Sequence, residues 1–271
     1  MFATPTSNIS AERHLLLSIH LDREVIVDCY FPKIFLPEIP IPLLLVNDGQ
    51  DLKTMNFAEI VDDLYSSKKI LPLFCVALHC GTDRRNEYGT AKISDYKGRG
   101  ARAGLYTRFI MEELLPFIRK QYSIYTFTEK AFAGFSLGGL MALDIAWNHP
   151  LEFTTVGIFS GSLWWRDLDH EDPDFDENKH RIMQRQIREG EYYPWMKFFF
   201  EVGTKDETAD RNANGVIDSI DDTLATISEF KNLGYSDMQV KYLELSDGQH
   251  NVPTWARAFP FFLEWAWGSK N

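Results

Sequence analysis

Ser136 stands inside Gly134-Phe135-Ser136-Leu137-Gly138, with a further glycine at 139. A serine hydroxyl is a weak nucleophile. It becomes useful when a base can take its proton and when the backbone presents it on a sharp turn between a strand and a helix. The flanks supply that context. Ala131-Phe132-Ala133 is a short apolar run of strand type, and Gly139 to Trp147 spaces its apolar residues with helical period. The glycines let strand and helix pass close together around a strained residue. A glycine-rich turn with Ser136 as an ordinary helix N-cap is the plainer alternative.

Where a nucleophilic serine sits on such a strand-to-helix turn, its partners follow in the chain order serine, acid, histidine. His250 follows the last strand-like run and precedes the last helix, which is where the base belongs. His149 precedes Pro150 at a helix end and reads as a cap. His170 and His180 lie in an acidic stretch and read as solvated. The run Lys197–Val202 ends in Gly203-Thr204-Lys205-Asp206-Glu207, making Asp206 the candidate acid, Glu207 the runner-up and Asp210 a distant third. An oxyanion hole needs two backbone N–H donors. One is expected from Leu137, after the nucleophile. The other is expected from Gln50, in Asn47-Asp48-Gly49-Gln50-Asp51, although a plain turn explains that string equally well.

The elements that must position these residues alternate. Strand-like runs fall at His14–His20, Glu24–Phe31, Leu43–Val46, Leu73–Leu78, Lys130–Ala133, Val156–Phe159, Lys197–Val202 and Val240–Leu245. Helical periodicity covers Gly104–Tyr122, Leu137–Asn148, Asp222–Leu233 and Thr254–Trp267. The continuous apolarity of the later runs predicts strands buried on both faces, and the first two predict an antiparallel hairpin. The alternation predicts one doubly wound α/β domain over 1–271, a mostly parallel sheet of about eight strands flanked by helices with an antiparallel N-terminal edge. The Ser136 elbow on such a sheet is the arrangement of an α/β-hydrolase.

Two stretches interrupt the alternation. Residues 163–195 carry several tryptophans and tyrosines around an acidic run, and form either a cap over the site or a loop closing a satellite core. Residues 207–221 contain Asp210, Asn212, Asn214, Asp218 and Asp221 at positions one, three, five, nine and twelve of an EF-hand-like loop, with Gly215 at six. The Val216 carbonyl at position seven adds a ligand. The pattern predicts a structural Ca2+ that orders the segment bearing Asp206; a solvated Asn214-Gly215 turn is the alternative. Aspartate at position twelve, in place of the usual glutamate, weakens the expected binding.

Composition bounds the rest. A net charge of −11 argues against nucleic acid and anionic membrane partners, and no run is long enough to span a bilayer. Met1 to Ile9 lacks the basic and apolar regions of a secretory signal, and the three cysteines (Cys29, Cys75, Cys80) read as reduced thiols of a cytoplasmic protein.

The chain resembles the esterase D/putative esterase family of α/β-hydrolases, which includes enterochelin-type and feruloyl esterases. The resemblance rests on Asn47 to Asp51, Arg84-Arg85-Asn86-Glu87-Tyr88, Phe109 to Pro116, Gly134 to Gly139, Ser160 to Trp165, Gly203 to Asp206 and Gly248-Gln249-His250. It implies Ser136 as nucleophile, Asp206 as acid, His250 as base, Leu137 and Gln50 in the oxyanion hole, and Arg84, Glu87, Trp164 and Trp165 around the pocket. Taken by themselves, Arg84 and Glu87 read as a surface ion pair. Gln249 departs from relatives that carry a second glycine before the histidine. The implied activity is hydrolysis of a small-molecule or carbohydrate ester through an acyl-enzyme, with no cofactor for catalysis. Acyl transfer, or a non-catalytic binding protein on the same scaffold, are the alternatives.

Overall fold

The computed structural model describes residues 7–34 and 36–269. Residues 1–6 of the segment examined for a signal lie outside the described residues. Eight strands form one sheet in the order β1-β2-β4-β3-β5-β6-β7-β8. They are β1 (Ile9–Ser18), β2 (Arg23–Pro32), β3 (Ile41–Asn47), β4 (Phe74–Leu78), β5 (Phe127–Phe135), β6 (Thr155–Phe159), β7 (Lys197–Lys205) and β8 (Val240–Gln249). Strand β2 is antiparallel to β1 and to β4, and from β4 to β8 every pairing is parallel. This is the predicted α/β-hydrolase architecture with its antiparallel edge.

The helices are α1 (Phe57–Ser66), α2 (Arg84–Glu87), α3 (Ala103–Arg108), α4 (Leu115–Tyr122), α5 (Leu137–Asn148), α6 (Glu177–His180), α7 (Ile182–Arg188), α8 (Asp218–Asn232) and α9 (Val252–Trp267). Strands β4 and β6 are buried at every residue, which is why their sequences read as unbroken apolar runs. Apolar clusters fill both faces of the sheet. One gathers residues of α3, α4, α5 and α7, and the other gathers residues of α1 and α9.

Some boundaries differ from the sequence reading. The stretch expected as one helix from Gly104 to Tyr122 widens into a π turn over Phe109–Leu114. Pro116, in the first turn of α4, has no N–H to continue the regular ladder. Helix α1 has no counterpart among the predicted helices. Strands β7 and β8 run on to Lys205 and Gln249, so they carry the ladder up to the two loops that matter most.

Residues 163–195 form the crossover from β6 to β7. Leu163, Trp165, Ile182, Met183 and Ile187 are buried in the core, and the isolated bridge Arg166↔Arg181 ties the segment's two limbs. Its aromatics divide. Trp164 and Trp165 follow the end of β6, whereas Trp195 donates to the Pro150 carbonyl at 2.8 Å near the start of β7.

Candidate active site

Strand β5 delivers Ser136 with φ 54° and ψ −122°, outside the regions an L-residue ordinarily occupies. The turn is held from three sides. Ser136 donates its N–H to the Phe159 carbonyl at 2.8 Å, and its own carbonyl accepts from Ser162 at 3.1 Å and Gly139 at 3.1 Å. The close passage needs Gly134, because a Cβ there would lie 2.3 Å from the Gly138 carbonyl oxygen. Ser136 Oγ lies 3.4 Å from Ser162 Oγ, its recorded side-chain neighbour.

Asp206 and His250 arrive on the loops after β7 and β8, the neighbouring strands. His250 Nδ1 stands 3.9 Å from Asp206 Oδ2, with the Asp206 side chain 1% exposed and the imidazole 40% exposed. Burial raises the Asp206 pKa, and the Ser160 hydroxyl and the His250 charge work against that rise. Burial lowers the His250 pKa; Asp206 opposes this and the Arg84 charge adds to it. Glu207, the runner-up acid, is raised by burial and faces Ser219 at the start of α8 rather than His250.

The indole of Trp255 connects the serine and histidine sides. Its ring stacks on Phe135 (centroids 5.0 Å apart, 21° between planes) and meets His250 edge-on at 5.4 Å. Its Nε1 donates to Ser160 Oγ at 2.9 Å. Ser160 is itself in the left-handed region at φ 44°.

The turn after β3 packs against the elbow. Asn47 donates to the Gly138 carbonyl at 2.8 Å and accepts from the Tyr106 hydroxyl at 2.7 Å. Asp48, 1% exposed and at φ 61°, takes both forks of Arg84 at 2.7 Å. Arg84 Nη2 also reaches the Phe135 carbonyl at 3.3 Å, next to Ser136. Burial works against the Arg84 charge, but Asp48 outweighs it and the pKa is raised. Gln50 is fixed by its side chain, whose Oε1 accepts the Cys80 N–H at 3.1 Å. Among the described residues, no acceptor takes the N–H of Leu137 or of Gln50.

Arg84 and Glu87 do not pair with each other at the surface. Each is drawn to a separate buried partnership, Arg84 to Asp48 and Glu87 to Arg23 at 2.6 Å, with the Glu87 side chain at 0% exposure. Trp165 is fully buried against Gly89 and Gly100, while Trp164 is half-buried with the Arg99 guanidinium over its ring at 4.9 Å. The sequence reading took Asn47 to Asp51 for its amide and passed over the Asp48 carboxylate. It passed over Ser160 and Trp255 as well. An aspartate directly after a buried parallel strand, followed by glycine, is the signal that would have marked Asp48.

In 207–221, Asp210 Oδ1 and Oδ2 accept from Asn214 at 3.1 Å and Gly215 at 2.9 Å, while the Asn212 and Asn214 side chains both donate to Asp221 Oδ2, at 3.0 and 2.9 Å. Asp218 accepts the Arg211 N–H at 2.8 Å and begins α8. A groove of about 790 Å³ is lined by Ile34, Pro72 and Trp267 at the opposite end of the sheet from Ser136.

The chain is 21% identical over 235 residues to the Bacillus subtilis protein YbbA, which covers 85% of this chain and 87% of that one. Its fold matches the enterobactin esterase FES of Shigella flexneri with a TM-score of 0.70 at 18% identity, over 96% of this chain and 59% of that chain. It therefore spans less than two thirds of FES. The siderophore hydrolase EstB of Aspergillus nidulans matches with a TM-score of 0.65 at 18% identity, over 97% of this chain and 96% of that one. At such identities the likeness is one of fold. Residues 18–265 match the esterase family described as "Putative esterase", and the chain belongs to that family.

Proposed function

We propose that the protein is a serine hydrolase of carboxylic esters. The observation that carries this reading is the His250–Asp206 pair, 3.9 Å apart, on the two loops beside a strained Ser136 elbow. His250 takes the Ser136 Oγ proton as Oγ bonds to the ester carbonyl carbon. The N–H groups of Leu137 and Gln50, free of other acceptors, receive the developing oxyanion. The tetrahedral adduct expels the alcohol, which leaves with the proton from His250, and water enters by the same steps to release the acid and restore Ser136. Asp206 holds the imidazole and stabilises its charge. No cofactor takes part.

The substrate class is a small-molecule ester with a ring or sugar surface. Trp164 beside Arg99 offers a flat, partly exposed face near the end of β6 for such a group. The feruloyl, carbohydrate and siderophore types all fall in this class. Arg84 belongs to the same wall through Asp48 and the Phe135 carbonyl. The three cysteines, all free, accord with a cytoplasmic setting, and no helix among the described residues is long and apolar enough to cross a membrane.

The loop from Asp210 to Asp221 is read as a structural calcium site. The motif supplies hard oxygens of Asp210, Asn212, Asn214 and Asp221, and hydrogen bonds already tie these residues together: the Asn212 and Asn214 amides donate to Asp221, and Asp210 accepts the Gly215 N–H. No three His, Cys, Asp or Glu side chains gather as a metal site among the described residues, so the reading needs the Asn212 and Asn214 amides to turn their oxygens inward on binding. The Val216 carbonyl and Asp218 are the remaining donors in the motif. Arg211, inside the loop, bonds Asp222 at 2.6 Å and Glu177 of α6 at 3.1 Å, so an ordered loop would steady the crossover too.

The test is hydrolysis of a p-nitrophenyl ester series by wild type and Ser136→Ala, with and without a calcium chelator. Turnover lost in Ser136→Ala, together with fluorophosphonate labelling of Ser136, supports the hydrolase. Labelling at another residue, or none, overturns it. A melting temperature unmoved by chelator and by added calcium removes the ion from the account.

A further inference from the structure

Two carboxyl groups are buried on one face at the end of β7, and none of their four oxygens has a hydrogen-bond partner of regular geometry among the described residues. The donor that acts most on Asp206 is the Ser160 hydroxyl. Glu201 is 1% exposed and pairs in register with Phe159 of β6 and Leu243 of β8. Side chains alternate along a strand, so Glu201 shares its face with Gly203. The Asp206 carboxylate folds back onto that same face. Its Oδ1 lies 2.6 Å from the point where a Gly203 Cβ would be. Residues two apart on a strand are separated by about 7 Å with their side chains on one side, so the two carboxyls enter the same buried space and Asp206 acts on Glu201 through its charge. Ser160 adjoins the pair: its N–H donates to the Glu201 carbonyl at 2.8 Å, and its Oγ accepts the Trp255 Nε1–H at 2.9 Å.

An apolar side chain would suit the same spot better. Phe199, two residues earlier on this face, packs on Phe159 and Phe262. A carboxyl in their company costs stability unless it does something else. The titratable groups that act on Glu201 are Asp206, from the loop after its strand, and Arg257 from α9. Tyr242 of β8 adjoins its register partner Leu243 and points to the other face of the sheet. Arg257 is exposed and bound to Asp247 at 2.7 Å, so it does not neutralise a buried charge. Two ionised carboxylates so close in a buried site repel strongly. Burial, with the Asp206 charge added, pushes the Glu201 carboxyl up to about 8. Asp206 differs from Glu201 in facing His250, whose charge works against the rise that burial causes in its pKa.

We propose that Glu201 is a positioning residue for the His250–Asp206 pair: held as the neutral acid, it donates its O–H to Asp206 and so fixes the carboxylate in the orientation that faces the imidazole. The proton stays on Glu201 throughout, so no bond to it breaks during turnover. The inference rests on the serine-esterase reading.

The experiment measures kcat and KM for a p-nitrophenyl ester, and the rate of fluorophosphonate labelling of Ser136, from pH 6 to 10. Wild type, Glu201→Gln and Glu201→Leu are compared. Wild type should lose activity on a descending limb near the Glu201 pKa, as a second negative charge appears beside Asp206. Glu201→Gln keeps a donor and cannot ionise; its plateau should stay within about three-fold of wild type and the limb should vanish. Glu201→Leu should lose roughly ten-fold in kcat at every pH with KM unchanged. A limb that persists in Glu201→Gln, or that is missing from wild type, overturns the proposal, as does wild-type kcat in Glu201→Leu. Should Glu201→Leu not fold, the Gln profile decides alone. Failure of wild type to label at Ser136 sinks the esterase reading and this inference with it. Labelling with an unaltered Glu201→Gln profile sinks the inference only.

Discussion

Gly203 and Gly248 pack backbone against backbone: a Cβ on Gly203 would stand 2.3 Å from the Gly248 carbonyl carbon. That contact lies between the loops of Asp206 and His250, at a register irregularity where the β7–β8 pairing moves from Gly203↔Leu245 to Lys205↔Gln249. The missing side chains therefore set how near acid and base can come.

Gly203→Ala is expected to push the two loops apart, because the atoms in the way are backbone and cannot rotate aside. A displacement of about 1 Å at such a pair costs on the order of 100-fold in turnover. Circular dichroism should report an intact sheet, since the clash lies near the strand ends. A kcat within two-fold of wild type in a folded Gly203→Ala would show that the contact does not set the pair.

Asp206→Asn should lower kcat by a factor on the order of 10³ to 10⁴, because a neutral amide can neither hold the imidazole tautomer nor stabilise its charge. Glu207→Gln should stay within a few-fold of wild type. Glu207 faces Ser219, Asp218 and Asp222 at the start of α8, away from His250. The reverse ranking in steady-state kinetics would transfer the acid to Glu207.

The strands and the elbow were legible because burial on both faces writes itself into sequence as unbroken apolar runs, as in Phe74–Leu78 and Thr155–Phe159. The places of Ser136, Asp206 and His250 at the ends of β5, β7 and β8 were legible because each follows a strand-like run in the sequence. The supporting residues were not. Asp48, Ser160, Trp255 and Glu201 lie far apart in sequence, and each has an innocent local reading as a turn aspartate, a loop serine, a helix tryptophan or a strand-end glutamate. What marks them is pairing across the fold, Asp48 with Arg84 and Ser160 with Trp255, and no local periodicity encodes that. Arg84 and Glu87 show the same limit from the other side. They are neighbours on a short helix that bond in different directions, to Asp48 and to Arg23.

The pH profile of kcat/KM should rise with pH on an acidic limb lying below the ordinary histidine value. Burial lowers the His250 pKa, and the base acts in its neutral form, so activity is present above that pKa and lost as pH falls through it. Asp206 holds the value up. Asp206→Asn should therefore shift the limb further toward acid while lowering the plateau. An acidic limb above pH 7 in wild type would contradict the burial argument.

Trp255→Phe separates two things that the indole does. Phenylalanine retains an aromatic ring against Phe135 and an edge toward His250, but removes the donor that Ser160 Oγ accepts at 2.9 Å. A hydrogen bond of this kind contributes about 1 kcal/mol, so the melting temperature should fall by only a few degrees. Turnover should fall further than stability, by roughly ten-fold, because Ser160 loses the partner that orients its hydroxyl next to the Asp206 carboxylate. Trp255→Ala is the control: it empties a core position, should cost about 3–5 kcal/mol, and loses the His250 contact as well. Thermal melts and kcat measured on both variants decide between the roles. A Trp255→Phe enzyme with wild-type kcat would leave the indole as packing alone, with His250 oriented by Asp206 and the loop backbone.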